Sequence, residues 1–74
     1  MRARVENPKQ TRAKATQAAQ SGKLSQGALG ILTTAARYPQ GATIADLKEA
    51  FPLVGEIAIE VWIDELKRAG FIKV

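Results

Sequence analysis

The sequence predicts a mainly α fold, with three helices and a short C-terminal strand over residues 24–74, preceded by a flexible basic arm over residues 1–23. Three observations carry that prediction. Apolar residues recur at three- and four-residue spacing in two stretches, 26–37 and 54–69, the period of an amphipathic helix. Residues that start or stop helices stand at the edges of those stretches: Ser25 and Thr43 before them, Gly70 after. Between Val5 and Leu24 there is no large apolar side chain, so that segment has little to bury against the entropy of ordering it.

Taken in order, the arm MRARVENPKQTRAKATQAAQSGK is read as mobile. Its PKQTRAKATQAAQ portion is rich in helix formers and would become helical against a partner, with Ser21-Gly22 as the hinge. Ser25 is placed as the N-cap of a first core helix over about Gln26–Arg37, with Leu24 and Leu29 as a hydrophobic staple across it. Ala28, Leu29, Leu32, Ala35 and Ala36 form its inner side. Gly27 and Gly30 weaken this helix by roughly 1 kcal/mol each if exposed, which implies that another helix or chain approaches closely there. Tyr38-Pro39-Gln40-Gly41 ends it, since Pro cannot continue a helix.

Thr43-Ile44-Ala45-Asp46 has the spacing of a capping box and opens a short second helix over about Ile44–Ala50, with Ile44, Leu47 and Phe51 inward. Pro52-Leu53-Val54-Gly55 is read as a tight turn into a third helix, VGEIAIEVWIDELKRA, whose apolar positions cover more than half its circumference. Such a helix requires neighbours on at least two sides, within the chain or from a second copy. Gly70 closes it by a Schellman-type turn with Phe71 folded back, and Phe71-Ile72-Lys73-Val74 forms a strand paired with Ala42-Thr43 or with a symmetry mate.

Composition removes several function classes. The chain has 74 residues, no Cys and no His, so thiolate chemistry, Cys- or His-based metal sites and the usual general base are absent. Ser21 and Ser25 have no His to activate them, Tyr38 has no evident base, and no glycine-rich phosphate loop occurs. No catalytic residue, cofactor or metal is therefore expected, and the protein is not read as an enzyme. No stretch reaches a membrane span and no apolar signal region follows the N-terminus, so the expectation is a cytoplasmic protein without membrane contact. The net charge of +4 is unevenly placed: residues 1–23 hold six cations against Glu6 alone, and residues 24–74 hold five cations and six anions.

A twelve-residue helix, a short helix opened by TIADL, a turn, a longer helix ending in DELKRAG and a strand FIKV follow one another in an order that resembles a winged helix-turn-helix domain. Thr43, Leu47, Phe51, Ile59, Ile63, Leu66, Gly70 and Ile72 carry that resemblance, which covers residues 24–74. It implies a three-helix winged-helix-like fold, a small DNA-binding regulator of transcription, and a third helix that enters the major groove while a wing touches the backbone. This sequence departs from the pattern in that no second wing strand follows Ile72, and in that the face aimed at DNA carries Glu56, Glu60 and Asp64, which duplex phosphates would repel.

Two readings of the surface follow. In the first, Arg2, Arg4, Lys9, Arg12, Lys14 and Lys23 of the arm, with Arg68 and Lys73, neutralise phosphates of double-stranded DNA without reading bases. In the second, Glu56, Ile57, Glu60, Val61 and Asp64 dock a protein partner or a second copy, because Ile57 and Val61 face outward once Ile59, Ile63 and Leu66 face in. A homodimer through the third helix or the first is the expected assembly. The three carboxylates share one helix side, as a hard-cation site would require, but no further oxygen ligands accompany them.

Overall fold

A computed structural model describes residues 2–74. The chain runs β1 (Arg4–Val5), α1 (Pro8–Gln20), α2 (Gln26–Ala35), α3 (Ile44–Ala50), α4 (Glu56–Arg68) and β2 (Ile72–Lys73). The three expected helices are α2, α3 and α4. The structure adds a fourth, α1, and a second strand, β1, both in the segment read as a flexible arm.

The arm is corrected by its own small residues. Ala3, Val5, Ala15 and Ala19 are buried in the same hydrophobic cluster as Ile31, Leu32, Leu47, Ile59 and Leu66. Along Arg2-Ala3-Arg4-Val5, side chains alternate outward and inward, as a strand over a core requires. Alternate residues of a strand also aim their backbone groups at opposite edges. Ala3 exchanges two 2.8 Å hydrogen bonds with Ala42, and Arg4 and Val5 pair with Lys73 and Ile72. The first residues of the chain thus lie between the Ala42 segment and β2, and they are the partner of β2 in place of Ala42-Thr43 or a symmetry mate. Gly41, at φ 102°, permits that crossing: a Cβ there would sit 2.8 Å from Arg2 Cβ.

Helix α1 starts on Pro8, whose fixed φ suits the first helical position, and lays Ala15 and Ala19 on α2. Alanine contributes little transfer energy but lets two helix backbones come close. The helix ends at the expected Ser21-Gly22: Gly22 takes φ 76°, Lys23 N–H donates to Ala18 O at 2.8 Å and Gly22 N–H to Ala19 O at 3.2 Å. This is a Schellman closure, so the proposed hinge is a fixed corner.

The remaining caps are as the sequence implies. Ser25 Oγ accepts from Ala28 N–H at 3.2 Å. Thr43 and Asp46 form the reciprocal capping box. Gly70 takes φ 83°, with Phe71 N–H bonded to Leu66 O at 2.9 Å. Close approach at the α2 glycines is also observed. The Trp62 ring of α4 lies over Gly27, where any Cβ would overlap it, and the Phe51 ring lies 3.5 Å from the Cβ position of Gly30.

Helix α4 packs on α2, α3 and β2 through Ile59, Ile63 and Leu66, with Trp62 half-buried beside them. Glu65 fixes its rotation: its carboxylate accepts from Ser25 N–H at 2.8 Å and from Ser25 Oγ at 3.1 Å, joining the last turns of α4 to the first of α2. The helix is therefore not enclosed around more than half its girth. One side remains open, and Ile57 and Val61 lie on it among charged residues.

Candidate protein-docking surface on the fourth helix

The turn before α4 is held rigidly. Lys48 Nζ donates to Pro52 O at 3.2 Å and to Val54 O, and Val54 N–H donates to Phe51 O at 3.0 Å. Leu53, in the turn before the helix, projects wholly into solvent at 100% exposure, and on α4 itself Ile57 is 78% and Val61 57% exposed. Residues four apart share a helix side, so Ile57 and Val61 form an apolar pair on the outward side of α4. Ile57 and Val61 are where the sequence places them. Leu53 was missed as an exposed apolar residue because the Pro-Leu-Val-Gly stretch reads only as a turn, which it is; the available signal was a large apolar side chain set between turn residues.

Glu56 and Glu60 are exposed beside Ile57 and Val61, with no cation within ion-pair distance among the described residues. Asp64 differs, because Arg68 Nε pairs with its Oδ2 at 2.8 Å one turn on. The ion pair neutralises Asp64 and leaves the negative charge at Glu56 and Glu60. Arg68, expected to contact phosphate, makes this pair and stays largely exposed.

The other cations expected to act together are separated. Arg2, Arg4 and Lys73 share one shallow depression with Gln40 and Val74 on the outward side of the sheet. Glu6 stands 3.4 Å from both Arg4 and Lys73, and Arg2 Nη1 lies 3.4 Å from Gly41 O. Lys14 and Lys23 lie together near the end of α1, Lys9 stands by its start beside Asn7, and Arg12 is on another side of the helix from Lys14. Of the six cations read as one arm, two, Arg2 and Arg4, thus join Lys73 of the paired strand in a small sheet patch, and the other four are scattered.

No protein family matches the chain. No curated protein and no solved structure is detectably similar to it either. The site is therefore defined by its own chemistry, an exposed apolar pair with two carboxylates beside it and a separate cationic patch on the sheet. Among the described residues no helix is long and apolar enough to cross a membrane.

Proposed function

We propose that this chain is a protein-interaction module that docks through the outward side of α4. The observation that carries the reading is the exposed pair Ile57 and Val61 on a helix whose opposite side is fixed in the core, with Leu53 fully exposed in the turn before it. Large apolar side chains in contiguous exposed patches mark contact surfaces, because leaving them in water forfeits roughly 1.5–3 kcal/mol per side chain. The segment read as an arm gripping DNA is part of the fold over residues 3–20, with its cations exposed. A photo-crosslinking residue at position 57 tests the reading, with a control at the exposed Gln17 of α1. In cells that express the protein, position 57 is expected to give a discrete protein adduct that Glu60→Lys abolishes, and Gln17 none. Equal adducts from both positions, or adducts to nucleic acid alone, would overturn it.

The gathering of Arg2, Arg4 and Lys73 favours a second reading, contact with duplex DNA through the sheet, which the winged-helix-like helix order also suggests. Each phosphate neutralised contributes about 0.9 to the slope of log affinity against log salt. Arg4→Ala with Lys73→Ala is then expected to lower that slope by about 2 in an anisotropy titration on duplex DNA. Arg4→Ala with Lys73→Ala also separates the readings: DNA affinity falls if the sheet carries the contact, and the protein adduct at position 57 is unchanged if α4 docks protein.

A further inference from the structure

We infer that the partner docked on α4 presents a cationic amphipathic helix, an inference that rests on the docking reading above. Ile57 and Val61 stand one turn apart on α4, about 6 Å at 1.5 Å per residue, with Leu53 exposed in the turn before the helix. The backbone of α4 is bonded within the helix, so a partner strand finds no free edge to pair with. The contact is made by side chains, and a ridge with a four-residue period fits the groove of a second helix.

Charge selects the sign of that helix. Among the described residues Glu56 and Glu60, beside Ile57 and Val61, make no ion pair, with Lys67 lining the same depression as Glu60, whereas Asp64 is already paired with Arg68. Burying Ile57 against an acidic or neutral partner would leave two carboxylates at the rim with repulsive or absent counter-charges; a Lys- or Arg-bearing helix supplies them. A second copy of this chain fits poorly. Packing α4 on α4 would gather Glu56 and Glu60 of both copies in one contact. The cationic sheet patch brings only Val74 as an exposed apolar side chain, and its union with α4 would be head-to-tail, without closure.

The chain's net charge makes the test discriminating. At +4 overall, the molecule attracts anionic peptides and repels cationic ones at long range, so capture of a cationic probe requires the local face. The probes are two fluorescein-labelled helical peptides, one of Leu and Lys and one of Leu and Glu, with Leu at positions i, i+3, i+4 and i+7, titrated with the full chain by anisotropy. The Leu/Lys peptide is expected to bind and the Leu/Glu peptide not. Ile57→Ser with Val61→Ser is expected to weaken binding at least tenfold, as loss of two buried apolar contacts implies. Glu56→Lys with Glu60→Lys is expected to reverse the preference. All four side chains face solvent, so each variant is expected to keep the parent's helical circular dichroism, with Glu56→Lys lowering the melting temperature because it places a cation in the first turn of α4. Preference for the Leu/Glu peptide, or Leu/Lys binding indifferent to positions 57 and 61, overturns the inference. Light scattering then shows which layer has failed. A wild-type dimer that Ile57→Ser with Val61→Ser dissociates overturns the cationic partner and leaves α4 a docking surface. If neither peptide binding nor self-association responds to those positions, the docking reading falls as well.

Discussion

At the scale of single residues, two glycines on one helix have opposite meanings. Gly27 is required because the Trp62 ring occupies the place of a side chain, so Gly27→Ala forces the indole off α2 and is expected to cost about 1–3 kcal/mol, as overpacking does. Gly30 has ordinary contact room, 3.5 Å to Phe51 Cζ, so Gly30→Ala adds helix propensity without a clash and is expected to stabilise by up to about 1 kcal/mol. Urea unfolding of the two variants beside the parent checks both signs. The sequence shows two identical costs to one helix, because the difference between them lies in side chains contributed by residues 51 and 62.

At the scale of elements, each helix end is set by local chemistry, and the α3 cap adds a pH dependence. Asp46 accepts the Thr43 backbone N–H at 2.9 Å. That bond and the side-chain hydrogen bond with Thr43 hold its carboxyl below the ordinary aspartate value against the opposing effect of desolvation, with the Arg2 charge a lesser contribution in the same downward direction. A carboxyl whose folded pKa is depressed adds stability that is fully present above the unfolded aspartate value. It is lost as pH falls through the lowered folded one. The melting temperature is therefore expected to drop across the acid range below ordinary aspartate titration, and Asp46→Asn to lose that component of the slope while retaining a cap.

The Thr43-Asp46 box, the Ser25 cap and the Gly70 closure were legible because the residues that make them lie within a few positions of one another. Helix α1 and β1 were not read as part of the fold, because their buried surface consists of Ala3, Val5, Ala15 and Ala19, and small side chains barely register in an apolar pattern. The alternation in Arg2-Ala3-Arg4-Val5 and the four-residue step from Ala15 to Ala19 were the signals present. Of the surface, Ile57 and Val61 followed from the inward set Ile59, Ile63 and Leu66. The dispersal of the cations did not, since it depends on where α1 packs.

At the scale of the whole molecule, the first 22 residues support the rest. Removing residues 1–22 uncovers Ala42 and the sheet-facing side of β2, and strips α1 from α2. A detachable tail would leave residues 24–74 melting as before. Here the truncated chain is expected to lose cooperative unfolding, or to melt at least 10 °C lower, since a 2–3 kcal/mol loss alone moves a domain of this size by about that much; circular dichroism melts of both chains check it.

Because Arg4 stands directly opposite Lys73, the two extremities of the described fold meet side by side on one rim. A few glycines would suffice to tie them into a ring. Such a covalent circle removes freedom from the unfolded chain while leaving the native contacts untouched, and new ends opened elsewhere, at the exposed Pro39-Gln40 corner for example, would yield a permuted protein whose former beginning and end form one continuous hairpin.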